Sequence, residues 1–160
     1  MLIRKMLYLG LLSMLVSANA YSQDEERQAV LALMQLGFDA VASGDPDDMR
    51  AIQLAEGTSL SFRPLKGGAP GELEMRISTN EALAAAGTDD AHTYLERWIG
   101  EPTVLIRGPI AVVWGEYEYF IDGVRAHCGV DSADLVKVDG EWKIANWMWT
   151  VEPEGCPTGP

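Results

Sequence analysis

Ile110-Ala111-Val112-Val113-Trp114-Gly115-Glu116-Tyr117-Glu118-Tyr119-Phe120-Ile121-Asp122-Gly123-Val124-Arg125-Ala126-His127-Cys128-Gly129-Val130-Asp131 is the stretch that decides the fold. Two runs rich in β-branched and aromatic residues flank an Asp-Gly pair, which accepts the positive φ angles of a two-residue type I′ turn. The runs Ile110 to Ile121 and Val124 to Val138 therefore read as a β-hairpin. Asp139-Gly140 repeats the signal and adds a third strand, Glu141 to Val151. Thr103 to Arg107 reads as a further strand just upstream, so the second half of the chain is an antiparallel meander.

Upstream of the meander the pattern is helical. Ser22-Gln23-Asp24-Glu25 has capping-box spacing, and apolar residues then recur at Val30, Leu33, Met34, Phe38 and Val41. Gly44 is placed to end that helix, and Asp45-Pro46 to open another as N-cap and first-turn proline, with Met49 and Ile52 facing inward. Thr58 to Phe62 and Glu72 to Ile77 read as short strands on either side of the loop from Lys66 to Gly71. Asn80 to Ala86 and Ala91 to Ile99 read as helical turns broken at Gly87. Helices followed by consecutive antiparallel strands give an α+β fold.

Residues 1–20 have the pattern of a secretory signal peptide. Arg4 and Lys5 supply the positive region, Met6 to Val16 the apolar one and Ala18-Asn19-Ala20 the cleavage site. The apolar run is shorter than the roughly 20 residues a bilayer-crossing helix needs. The expected mature chain is one domain, 21–160, periplasmic or secreted and free of the membrane. The 24 acidic residues would then face the 10 bases left after loss of Arg4 and Lys5. So acidic a chain is unsuited to nucleic acid or anionic membranes, where lysine and arginine supply the affinity. Export also favours a disulfide between Cys128 and Cys156, the only cysteines. With only His92 and His127 as further soft ligands, at no zinc spacing, no metal site is expected. No phosphate loop or dinucleotide glycine pattern is present, so no cofactor is expected.

Counting back from Asp122-Gly123 without a bulge places Ile121 opposite Val124, Phe120 opposite Arg125, Tyr119 opposite Ala126, Glu118 opposite His127, Tyr117 opposite Cys128 and Trp114 opposite Asp131. Alternation then gives Trp114, Glu116, Glu118, Phe120, His127 and Asp131 one face, and Tyr117, Tyr119, Cys128 and Val130 the other. The same count from Asp139-Gly140 sets Cys128 opposite Val151, Asp131 opposite Met148 and Ser132 opposite Trp147. A single bulge would flip these faces. The expected His127–Glu118 pair, with Asp131 nearby, suits general acid–base chemistry or a plain cross-strand ion pair. Trp147 and Trp149 point from one side of the last strand, either as a dimer face or as core beneath the helices.

Three motifs carry a family resemblance: Tyr94-Leu95-Glu96-Arg97-Trp98; Ala111 to Gly123; and His127-Cys128-Gly129-Val130-Asp131, continuing through Leu135-Val136-Lys137 to Gly140-Glu141-Trp142-Lys143-Ile144. Together with the order of elements they resemble the nuclear transport factor 2-like superfamily, which includes SnoaL-like polyketide cyclases and ketosteroid isomerases. The nearest likeness is to its exported bacterial branch, labelled SnoaL-like or lumazine-binding. The resemblance implies a cone-shaped, cystatin-like roll, with a curved antiparallel sheet wrapped on the N-terminal helices around a pocket, and a homodimer. It implies no single activity, because the fold hosts enzymes, binders and interaction modules.

Three functions follow as expectations. The first is a small-molecule binder for an apolar or aromatic ligand, with Trp98, Trp114, Glu118, His127, Asp131 and Arg76 as contacts. The second is an isomerase, cyclase or dehydratase using His127 or Asp131 as acid–base and Tyr117 as hydrogen-bond donor. The third is a dimeric interaction module without a ligand.

Overall fold

The computed structural model describes residues 2–157, with side chains from residue 23 onward. The side chains of the expected leader, 1–20, lie outside the described residues. The first helix, α1 (Leu2–Ser43), runs without a break at Ser22, so the capping box there does not open a helix in the full chain. Val30, Leu33, Met34, Phe38 and Ala40 are buried on one side of it. Gly44 ends α1 at φ +69°, its N–H donating to the Ala40 carbonyl at 3.1 Å. Asp45 then caps α2 (Pro46–Ile52) by accepting from the Asp47 N–H at 2.9 Å, and Met49 and Ile52 are buried. Among the described residues no helix is long and apolar enough to cross a membrane.

The sheet has seven strands: β1 (Gln53–Pro64), β2 (Leu73–Thr79), β3 (Tyr94–Trp98), β4 (Thr103–Arg107), β5 (Ile110–Ile121), β6 (Val124–Val138) and β7 (Glu141–Thr150). The helix α3 (Asn80–Ala86) follows β2, capped by the Thr79 hydroxyl. Strand order is β2-β1-β7-β6-β5-β3, with β4 also pairing β5. All neighbours are antiparallel except β1 and β7, which run parallel and join the N-terminal strand pair to the end of the meander. The curved, unclosed sheet packs against the helices, and Phe38 of α1 meets Trp98 edge-on at 4.9 Å and Trp147 at 6.5 Å. Burying each such large apolar side chain contributes about 1.5–3 kcal/mol.

One reading changes, and one open alternative is decided in favour of the core. Ala91 to Ile99 is not helical: Tyr94, Glu96 and Trp98 are partly buried while Leu95 and Arg97 are exposed, the period-2 signature of a strand, and β3 pairs with Tyr117–Ile121. Pairing with β5 outweighs the local helical tendency. Trp147 is core, and Trp149 packs against that core, so the tryptophans of β7 leave no apolar face for a partner.

Both Asp-Gly turns form as expected, with positive φ at Asp122, Gly123, Asp139 and Gly140. The register beyond each is shifted by a bulge. Phe120 pairs with Arg125 but Tyr119 with His127, which leaves Ala126 as the extra residue. Leu135 pairs with Ile144 but Asp134 with Asn146, which leaves Ala145 extra. A bulge strands backbone groups, and buried Asn80 answers that need. Its Nδ2 donates to the carbonyls of Ala145 (3.1 Å) and Leu54 (3.0 Å), while Ser59 Oγ donates to its Oδ1 at 2.8 Å.

The shifted register also corrects the pairings around the cysteines. Cys128 lies opposite Glu152 rather than Val151, bonded through both backbone groups at 3.0 and 2.8 Å. The disulfide to Cys156 forms, with 5.6 Å between Cα atoms. Gly129 is needed because the Thr150 carbonyl of β7 occupies the space a Cβ would take.

Candidate functional site

Between helices and sheet lies a cavity of about 530 Å³, within the usual size for a small-molecule site. Its sheet wall is built strand by strand. β1 supplies Arg63, β7 Trp149, β6 His127 and Asp131, β5 Tyr117 and Tyr119, and β3 Glu96. The ends of α1 and α3 close the apolar side with Val41, Leu83 and Ala84.

The Ala126 bulge decides which side chains meet here. Downstream of it His127, Gly129 and Asp131 share the face of Tyr117 and Tyr119, and Glu96, Tyr119 and His127 form one cross-strand row. The rings of Tyr119 and His127 stack at 4.8 Å, and Tyr117 meets the imidazole edge-on at 5.8 Å. Burial, with the positive charge of Arg63 added, lowers the His127 pKa, so the imidazole is neutral at pH 7.

Glu118 is not its partner. It lies opposite Cys128 and faces away, with Arg97 Nε at 2.7 Å and Arg125 Nη1 at 3.3 Å. The expected His127–Glu118 pair does not form, because the bulge sends the two side chains to opposite faces. The imidazole that does contact a carboxylate is His92, 2.7 Å from Asp122 on the exposed hairpin turn.

The acid that shares the cavity with Asp131 is Glu96. Asp131 is 1% exposed; its Oδ1 accepts from Trp147 Nε1 at 3.3 Å, and its buried Oδ2 has no hydrogen-bond partner among the described residues. Burial lifts its carboxyl to about 7, against the pull of the Trp147 N–H. Burial and the negative charge of Asp131 push Glu96 well above the usual carboxylate range. Two acids in one desolvated site cannot both ionise cheaply, so the pair keeps both protons below about pH 7 and one, on Glu96, above it. Tyr117 donates its hydroxyl to the Thr150 carbonyl at 2.8 Å, and burial raises its pKa, so it is a fixed neutral wall.

Of the residues singled out from sequence, His127, Asp131 and Tyr117 come together in the cavity. Trp98 lies beside it, packed on Phe38. Trp114 is half-exposed on the opposite face with Glu118, and Arg76 sits at the sheet edge bonded to Glu74. Glu96, Arg63, Tyr119 and Trp149 complete the site. Glu96 was within reach as the inward residue of the Tyr94–Trp98 alternation. Arg63 carried no local signal, because its place depends on β1 pairing with β7.

No family model matches the chain, and no curated protein matches it. Solved structures share its fold. A nuclear transport factor 2-like superfamily protein from Salmonella enterica serovar Typhimurium superposes with a TM-score of 0.64 at 13% identity, over 86% of this chain and 97% of that one. A cystatin-like-fold protein of unknown function from Nostoc punctiforme gives 0.62 at 13%, over 80% and 92%. A nuclear transport factor 2-like protein with a cystatin-like fold from Novosphingobium aromaticivorans gives 0.62 at 14%, over 87% and 90%. The chain therefore has the nuclear transport factor 2-like, cystatin-like fold that its sequence implied.

The acid pair predicts a pH dependence. The native state holds a proton on Asp131 up to about pH 7, whereas the unfolded chain releases it near 3.8. Its stabilising share is full below pH 4 and is lost as pH rises to about 7. Glu26 and Asp122, lowered by Lys137 and by the Thr93 backbone N–H respectively, contribute with the opposite sign but are common to both proteins compared. Asp131→Asn keeps the Trp147 bond and removes the titration. Thermal melts from pH 5 to pH 8 should show wild type losing about 5 °C relative to Asp131→Asn. A constant difference across that range would mean that Asp131 does not hold its proton in the folded state.

Proposed function

We propose that this chain is an exported binding domain that takes a small, planar, largely apolar molecule into the cavity. The observation that carries the reading is the wall of Tyr119, His127 and Trp149, aromatic faces lining a volume of about 530 Å³ with a few polar groups set among them. Export rests on the leader pattern of residues 1–20 and agrees with the Cys128–Cys156 disulfide. Relatives of the same fold described only as proteins of unknown function add no ligand. A SnoaL-like or lumazine-type assignment would be one case of this reading.

One observation favours a second reading, an isomerase, cyclase or dehydratase. Glu96 keeps its proton above pH 7 while Asp131 titrates at about 7 beside neutral His127, so a proton donor and two acceptors meet in one cavity at ambient pH. Binding ranks first because Tyr117, the expected hydrogen-bond donor of that chemistry, is committed to the Thr150 carbonyl.

The expected homodimer is also proposed, through the convex face. Ile77, Leu60, Met148 and Trp114 follow one another across β2, β1, β7 and β5 in register, with Ser132 of β6 between the last two. Ile77 is 62% exposed and Trp114 49%, so the row leaves apolar surface in need of cover. Sedimentation equilibrium at micromolar concentration should return a dimer mass for wild type and a monomer mass for Trp114→Glu. A wild-type monomer would remove the dimer.

The cavity reading is tested with N-phenyl-1-naphthylamine, a neutral aromatic probe that fluoresces in apolar surroundings. Wild type should bind it saturably at one site per chain. Tyr119→Ala and His127→Ala should each weaken it about tenfold through loss of one stacking wall. His127→Ala should still melt within a few degrees of wild type, since no carboxylate is left without its partner. Non-saturable fluorescence, or affinity unchanged in both folded variants, would contradict the reading.

A further inference from the structure

Arg63 stands out among the cations. Among the described residues it is the one lysine or arginine in the cavity lining. Its Nη2 donates to Ser61 Oγ at 3.0 Å, and its Nε is buried with no acceptor. The acid that faces it across β1 and β2 is Glu74, but Glu74 is already bonded to Arg76, whose Nε lies 2.9 Å away. The arrangement thus spends the nearby carboxylate on an exposed arginine and leaves the inner one without a counter-ion. An unpaired buried donor costs about 1–3 kcal/mol, and more when it is charged. Burial, together with the repulsion of Arg76, lowers the Arg63 pKa against the attraction of Glu74, which bonds Arg76 and not Arg63.

We infer that Arg63 is an anion anchor, and that the molecule the cavity takes is a monoanionic carboxylic acid with a planar apolar body. The inference rests on the cavity reading above and adds the charge of the ligand to it. A carboxylate can accept from Nε and a terminal nitrogen of one guanidinium together, in the planar two-point geometry that arginine offers and lysine does not. From β1 the body of the molecule would extend over Trp149 on β7 towards His127 on β6, the aromatic surface next in strand order. The acid pair does not oppose this placement. Asp131, the member of the pair that ionises, lies two strands from Arg63, or ~10 Å along the sheet at the ordinary strand spacing, and above pH 7 the pair carries one negative charge rather than two. In a chain with twice as many acids as bases, a lone unpaired arginine in the pocket also gives selectivity, because nothing else there attracts an anion.

The test compares 2-naphthoate with 2-naphthamide, which has the same shape but no charge and one acceptor oxygen in place of two, by isothermal titration at pH 7.5. Wild type should bind the acid at least tenfold more tightly than the amide. Arg63→Gln should abolish that preference, with the acid losing at least tenfold more affinity than the amide, and Arg63→Lys should keep part of it. Equal affinity for the two probes in wild type, or a preference that survives in Arg63→Gln, would overturn the anchor and leave the apolar cavity standing. Failure of both probes to bind wild type would overturn the anchor and the cavity reading together.

Discussion

The single extra residue at Ala126 sets the character of this cavity. A strand has a period of two, so one inserted residue transfers every side chain beyond it to the other face. With the bulge, His127 and Asp131 join Tyr117 and Tyr119 on the concave side, and Glu118 is left outside to bind Arg97 and Arg125. Without it, His127 would sit against a carboxylate on the convex face and the pocket would lose its imidazole. The second bulge, at Ala145, does the same for β7: it pairs Trp149 with Asp131 and sets Trp147 where its indole N–H reaches the same carboxylate. Asn80, from the start of α3, ties that second bulge to β1 through buried hydrogen bonds, so the helix layer and the sheet register are fixed together.

The inner face is electrostatically unusual for a protein so rich in acids. Its charges are few and lack ordinary partners: two carboxyls that hold protons far longer than usual, a neutral imidazole and an arginine without an ion-pair partner. Meanwhile the surface spends its arginines freely, on Glu118 and on Glu74. Exposed pairs of this kind contribute little to stability. The desolvated groups inside cost more to leave unpaired, which is why they, rather than the surface network, point to a ligand.

How much of this the sequence disclosed depends on where the determining partner lies. The turns at Asp122-Gly123 and Asp139-Gly140, the Asp45 cap and the extent of α3 are local, and each was readable because one or two residues decide the backbone angles. The stretch Tyr94–Trp98 reads locally as helical turns because what makes it a strand is β5, about twenty residues downstream. The bulges were invisible for the same reason. Alanine has no special backbone preference, and the groups that hold Ala145 in place, Asn80 among them, are distant in the chain. The site shows the same division: His127, Asp131 and Tyr117 were found as chemical types, whereas their true companions Glu96, Tyr119 and Arg63 emerged only once β3, β5 and β1 had been placed.

The register across β5 and β6 can be measured directly by nuclear Overhauser contacts to the His127 ring in labelled protein. The account predicts strong contacts from the imidazole protons to the ring of Tyr119 and weaker ones to Tyr117, with none to the Glu118 side chain. Contacts from His127 to the Glu118 methylenes, with none to Tyr119, would place the imidazole on the convex face and contradict the account.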